Sequence, residues 1–270
     1  MTWTRILTPL LGGDNDGKML RAATALAAPF DAHVTGAFIA ATPTSLLTWI
    51  SGESLNALEM AVGSIQQAAL DGERNARARF GAITYPFKNF TVSDSDGWAG
   101  LRMSARFSDV VVFDVAAARG EEFLAEAFQQ ILMDERRPVF VTSGVVDLDG
   151  PVAVAWDGGR EASRAARRAV PWLQKAREVV IFTAPNATPR AFAPGQLKDY
   201  LADQGIKARL ISVSGAGETG PLLMEAAHRL GVKLMVAGAF GHPRFQRFIF
   251  GGTTQTLLDQ MSGPALFLSH

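Results

Sequence analysis

The chain has 270 residues, 48% of them hydrophobic and 19% charged, a balance that suits one large or two ordinary globular domains and excludes a disordered chain. Lysine and arginine number 26 against 26 aspartates and glutamates, so no excess charge favours a nucleic-acid backbone or an anionic membrane. The absence of cysteine excludes disulfides, thiolate metal sites and a cysteine nucleophile. Residues 1–6 lack a signal-peptide layout, and no apolar stretch approaches bilayer-spanning length, so the expectation is a soluble cytoplasmic protein.

Residues 5–11 read as a strand, ended by a turn over residues 12–17. Met19, Leu20, Ala23, Leu26 and Ala27 then recur at helical spacing. Residues 33–39 make a second strand, and strand, helix, strand in that order implies a right-handed crossover and a parallel sheet. Leu46, Leu47, Trp49 and Ile50 form an apolar cluster outside the sheet, either packed on the core or exposed as a contact patch. Residues 53–80 read as one long helix with Leu55, Leu58, Val62, Ile65 and Ala69 on one stripe; Gly63 and Gly72 weaken it. A strand at 85–92, a helix at 98–107, a strand at 109–113, a helix at 121–134 and a strand at 138–142 complete this half.

Asp147, Asp149 and Gly150 mark residues 144–150 as a connector. Beyond it the pattern restarts, and that repetition decides the architecture. Residues 152–159 restate residues 6–13, and Ala162, Ala165, Ala169 and Leu173 repeat the helix. Strands follow at 178–183 and 209–213, then a helix at 222–230, a strand at 233–237, a helix at 253–261 and a strand at 264–269. Matching Pro264 to Pro138 aligns the two last strands. Two βαβ-type domains, 1–146 and 150–270, therefore join head to tail.

Residues 238–254 carry the most chemistry. Gly238 and Gly241 sit at the carboxyl end of an apolar strand, while Gly251 and Gly252 open a helix. Glycine lets another group approach the main chain, and the free N–H groups of a first helical turn suit a phosphate. Taken singly, each glycine reads as a turn former. The whole spacing, glycine, two residues, glycine, nine residues, glycine and then small residues, reads as a phosphate cradle.

That spacing resembles the ATP-binding signature of the universal stress protein family, and the repeat extends the resemblance to a tandem form with two such domains in one polypeptide. The resemblance implies an α/β fold in which each half is a five-stranded parallel sheet, order 3-2-1-4-5, with helices on both faces. It implies ATP, accompanied by Mg2+ on its phosphates, in the crevice between the carboxyl ends of strands 1 and 4. Asp157 matches the family's aspartate at the nucleoside end; read alone, it serves equally as a helix cap. Gly238 and Gly241 would approach ribose and phosphates, and Gly251, Gly252, Thr253 and Thr254 would hold the distal phosphates. His242, Arg244 and Arg247 lie on the intervening loop, where one arginine is expected on phosphate. The family usually has Ser or Thr directly after the last glycine, and here Gly252 intervenes. Single-domain relatives often dimerise through their last strands, which implies pairing of 138–142 with 264–269 and puts a homodimer among the expected partners. In the first half Leu11 replaces Asp157, Asp114 replaces Gly238, and Glu121 and Glu122 would repel phosphate. One nucleotide site per chain is expected, in the second half.

Gly215, Gly217 and Gly220 satisfy a dinucleotide fingerprint, but no acid ends the next strand, and a turn feeding Pro221 at the first helical position explains them better. His33, His228, His242 and His270 show no metal spacing, and no protein-held metal is expected. The expected function is a non-enzymatic, ATP-binding regulator of stress physiology. Two alternatives stay open: a non-nucleotide interaction module using residues 46–50 and 245–250, or a slow ATP hydrolase.

Overall fold

Short runs of Val, Ile, Leu and Phe bounded by Gly, Pro and Asp form strands buried on both faces. The computed structural model describes residues 2–40, 55–93, 98–121, 123–144, 146–184, 193–215, 217–239, 252–259 and 263–270. Its strands are β1 (Arg5–Leu10), β2 (His33–Phe38), β3 (Lys88–Val92), β4 (Val110–Asp114), β5 (Val139–Thr142), β6 (Val152–Trp156), β7 (Val179–Thr183), β8 (Ala208–Ser212), β9 (Leu234–Gly238) and β10 (Ala265–Ser269). They form one sheet of ten strands in the order β3-β2-β1-β4-β5-β10-β9-β6-β7-β8. Each half therefore has the order 3-2-1-4-5 that the resemblance implies. Neighbours run parallel within each half, and the halves meet where β5 and β10 pair antiparallel. Each last strand covers the other's edge.

The register at this seam corrects the alignment of the two halves. Phe267 pairs with Phe140, Val112 also pairs with Phe140, and Val236 with Phe267. Phe140 and Phe267 are thus equivalent, and matching the prolines places the last strand one residue out. Two fully buried phenylalanines decide the register, because a one-residue slip would turn both to the opposite face.

The helices are α1 (Asp16–Ala27), α2 (Leu55–Ala82), α3 (Trp98–Arg106), α4 (Val115–Arg119), α5 (Ala125–Gln129, prolonged by a π-helical turn at Gln130–Asp134), α6 (Arg160–Leu173), α7 (Pro194–Asp203), α8 (Thr219–Arg229) and α9 (Gly252–Asp259). One core layer joins Phe113, Phe128 and Leu132 of the first half to Met235, Leu257 and Leu266 of the second. On the other face Ile6, Leu26 and Phe140 meet Val154, Ala165 and Phe267. Trp3 ties this second layer together, with its ring 5.7 Å from Phe267, 6.0 Å from Trp172 and 5.2 Å from Phe30.

Three elements depart from the sequence reading. The long helix anchors through Ala76 and Phe80, both buried, while Val62, Ile65 and Ala69 are only half-buried. Residues 115–119, assigned no element from sequence, close into α4 because Asp114 accepts a hydrogen bond from the Ala116 N–H at 2.8 Å. The third is α7, absent from the reading, which begins at Pro194 and buries only Leu197 and Leu201.

Candidate functional site

In the second half, β6 and β9 lie side by side with Ala155 opposite Ala237. The chain leaves them in opposite directions, so their carboxyl ends flank a crevice of the kind that holds ligands in open α/β sheets. Trp156 ends β6 buried, and Asp157 follows it exposed. Asp157 Oδ1 accepts the Gly159 N–H at 2.7 Å, closing a turn in which Gly158 has a φ of +74°, a conformation that favours glycine. The N-cap of α6 is Gly159, and that first turn has no side-chain cap. Asp157 therefore closes the turn before the helix and does not cap the helix itself.

Gly238 ends β9. A β-carbon there would lie 2.4 Å from the Ala162 nitrogen and 2.7 Å from the Glu161 carbonyl carbon. The close approach that this glycine permits is that of the first turn of α6, as glycine does elsewhere where a helix crosses a strand end. Of the phosphate residues expected from sequence, Gly252 opens α9, Thr253 is exposed and Thr254 is buried. Gly241, His242, Arg244, Arg247 and Gly251 lie outside the described residues, as do residues 46–50 and 245–250.

At its other end α9 receives a cation from the first half. Arg119 Nη2 donates to the carbonyls of Leu258 at 2.8 Å and Asp259 at 3.0 Å, and its Nε reaches Leu258 at 3.0 Å. These are the unpaired carbonyls of a helix C-terminus, where positive charge is favourable. Sequence reading missed this contact; a basic residue closing a short helix is its only local signal.

The matching crevice of the first half is a cavity of about 270 Å³ whose walls include Pro9, Leu11, Asp14, Asp16, Asp114 and Phe123. Its amide groups already have anions of the chain's own. Asp114 caps α4 as described, and Asp16 accepts the N–H groups of Leu11 at 3.0 Å and Gly12 at 2.8 Å. Burial pushes the Asp16 carboxyl above its usual range, against those two amides and the Arg79 charge. Arg79 donates to Gly12 O at 2.9 Å and to Asp14 Oδ1 at 2.6 Å, which fastens the rim to α2. Gly12 has a φ of +80°, and a β-carbon there would lie 2.3 Å from Gly72 O.

The glycine fingerprint at 215–220 follows β8, the outermost strand of its half, away from either crevice. Gly220 serves packing, since a β-carbon there would lie 2.6 Å from Thr256 Cβ on α9. The helix starts at Thr219 with Glu218 as N-cap, so Pro221 is its third residue, not its first. Among the described residues no cluster of His, Asp and Glu could hold a metal ion, and no helix is long and apolar enough to cross a membrane.

No family model matches the sequence, and no curated protein does. Solved structures match over the whole chain. A universal stress protein from Archaeoglobus fulgidus is similar with a TM-score of 0.68 at 15% identity, over 99% of this chain and 96% of that one. A functionally unknown protein from Pseudomonas aeruginosa is similar with a TM-score of 0.54 at 14% identity, over 99% of this chain and 92% of that one. At such identities the likeness is one of fold, the α/β fold of a tandem universal stress protein along the full length.

Proposed function

We propose that this chain, built on the fold of a tandem universal stress protein, binds ATP or a related adenine nucleotide in the crevice of its second half and works as a regulator rather than a catalyst. The observation that carries the reading is an asymmetry. At the first-half crevice Asp114 and Asp16 take three amide groups, whereas in the second half the equivalent strand ends in Gly238 and Asp157, exposed at the mouth, takes only the Gly159 amide. The free oxygen of Asp157 would accept from ribose hydroxyls. Gly241, Gly251, Gly252, Thr253 and Thr254 would bring amides and hydroxyls to the phosphates, with an arginine of the loop, Arg244 or Arg247, as counter-charge. Mg2+ would arrive with the phosphates. No residue pattern in the sequence supplies a general base or a water-orienting group near the glycine loop.

The test is mass analysis of nucleotide released from purified protein, followed by calorimetric titration with ATP. One site per chain is expected, and Asp157→Asn weakens it about tenfold, the worth of a hydrogen bond to a charged group. No binding at millimolar ATP, or two equivalent sites, overturns the reading. The first of those outcomes favours the interaction-module alternative, for which Met103 on α3, 55% exposed, and Phe107 just after its end, 71% exposed, supply an apolar contact surface.

A further inference from the structure

Four arginines lie at the seam between the halves, none of them among the residues assigned to nucleotide. Arg164 and Arg168 lie one turn apart on α6 and so share a face, and Arg136 and Arg137 lead into β5. Arg168 Nη1 donates to the Arg136 carbonyl and to Ser269 Oγ, the latter at 3.1 Å. Its own carbonyl accepts the Trp3 indole N–H at 3.3 Å. Trp3 and Ser269 thereby fix its position from both sides.

Among the described residues none of the four arginines pairs with a carboxylate. The acid next to them in sequence, Glu135, is committed to Arg102 and Arg106. Arg137 Nε is buried with no hydrogen-bond partner, and Arg136 sits in the left-handed region with a φ of 49°, uncommon for a residue with a side chain. Burial, then the neighbouring charges of Arg137, Arg164 and Arg136, lower the pKa of Arg168 below the ordinary arginine value. Arg137, Arg164 and Arg168 are half-buried and Arg136 is exposed beside them, and like charges brought together at a partly desolvated place raise the free energy unless an anion joins them. Guanidinium forks match the oxygens of phosphate.

We infer that Arg136, Arg137, Arg164 and Arg168, with the Ser269 hydroxyl, form an oxyanion site at the seam that takes a phosphate group. The site is built from both halves, so its occupant holds them together. It is distinct from the nucleotide proposal, although Ser269 is the sheet neighbour of Gly238.

The probe is inorganic phosphate, titrated by calorimetry and by thermal unfolding against chloride at equal ionic strength. Phosphate is expected to bind and to raise Tm above the chloride control. Arg164→Gln and Arg137→Gln are each expected to weaken phosphate about tenfold. Arg164→Gln is not expected to lower Tm in chloride, because it relieves repulsion, so its loss of binding is not a loss of fold. Asp157→Asn leaves the phosphate response unchanged. Glycerol 3-phosphate run in parallel separates a free anion from the phosphate of a larger ligand, according to which binds tighter. Equal Tm in phosphate and chloride, an undiminished response in Arg164→Gln, or a response abolished by Asp157→Asn overturns the proposal.

Discussion

At Gly238 even alanine would overlap the main chain of Glu161 and Ala162, and neither backbone can give way without moving α6. Gly238→Ala is therefore expected to destabilise by about 1–3 kcal/mol, as overpacking does, read as a lower denaturant midpoint. A nucleotide-binding defect in such a variant would report packing. Asp157→Asn is the cleaner probe. Asparagine keeps an oxygen for the Gly159 N–H, and the residue is exposed, so stability should stay within about 0.5 kcal/mol while ATP binding falls. Both residues stood out in the sequence, but their different duties did not, since the partner of Gly238 is a helix more than seventy residues away in the chain.

The elements around the seam depend on caps and ion pairs that cross between them. Asp114→Ala removes the N-cap of α4 and should cost about 1 kcal/mol; the effect should extend to α9, whose C-terminal carbonyls Arg119 holds from the end of α4. Glu135, just after the π-helical turn, is gripped by Arg106 and then by Arg102 on α3, which hold its pKa at about 2, from 4.5, against the opposing effect of burial. A pKa lowered on folding adds stability that is full above 4.5 and is lost as pH falls through about 2. Unfolding midpoints measured across that window should fall with pH more gently in Glu135→Gln than in the parent. Sequence patterns revealed ten strands and most helices, but not α4 or α7. The first forms because a single carboxylate turns back on the Ala116 N–H, and the second shows only two buried apolar residues in ten, too few for a periodic signal.

As a whole molecule the two halves share both core layers and one continuous sheet. Unfolding should therefore be a single calorimetric transition; two resolved transitions would show halves that stand alone. Trp3 is the test of that coupling. It comes from the first half, is 4% exposed and stacks on Phe267 and Trp172 of the second. Trp3→Ala should cost about 3–5 kcal/mol, and in differential scanning calorimetry the melting of the second half should shift with that of the first.

The sequence by itself determined the duplicated α/β architecture, the strand order that its resemblance implied and the half that keeps the glycine spacing. The duplication and the glycine spacing are written in local periodicity and in glycines at strand ends, each visible in a short window, while the strand order came only with the resemblance. Tertiary structure alone decided that Phe140 and Phe267 set the register of the seam, that Gly238 makes room for a helix, that Arg119 caps a helix 139 residues on, and that four arginines come together with no counter-ion among the described residues. Each of these depends on which surfaces face one another once the sheet has closed across its two halves, and no local pattern encodes the distance between residues so far apart in the chain.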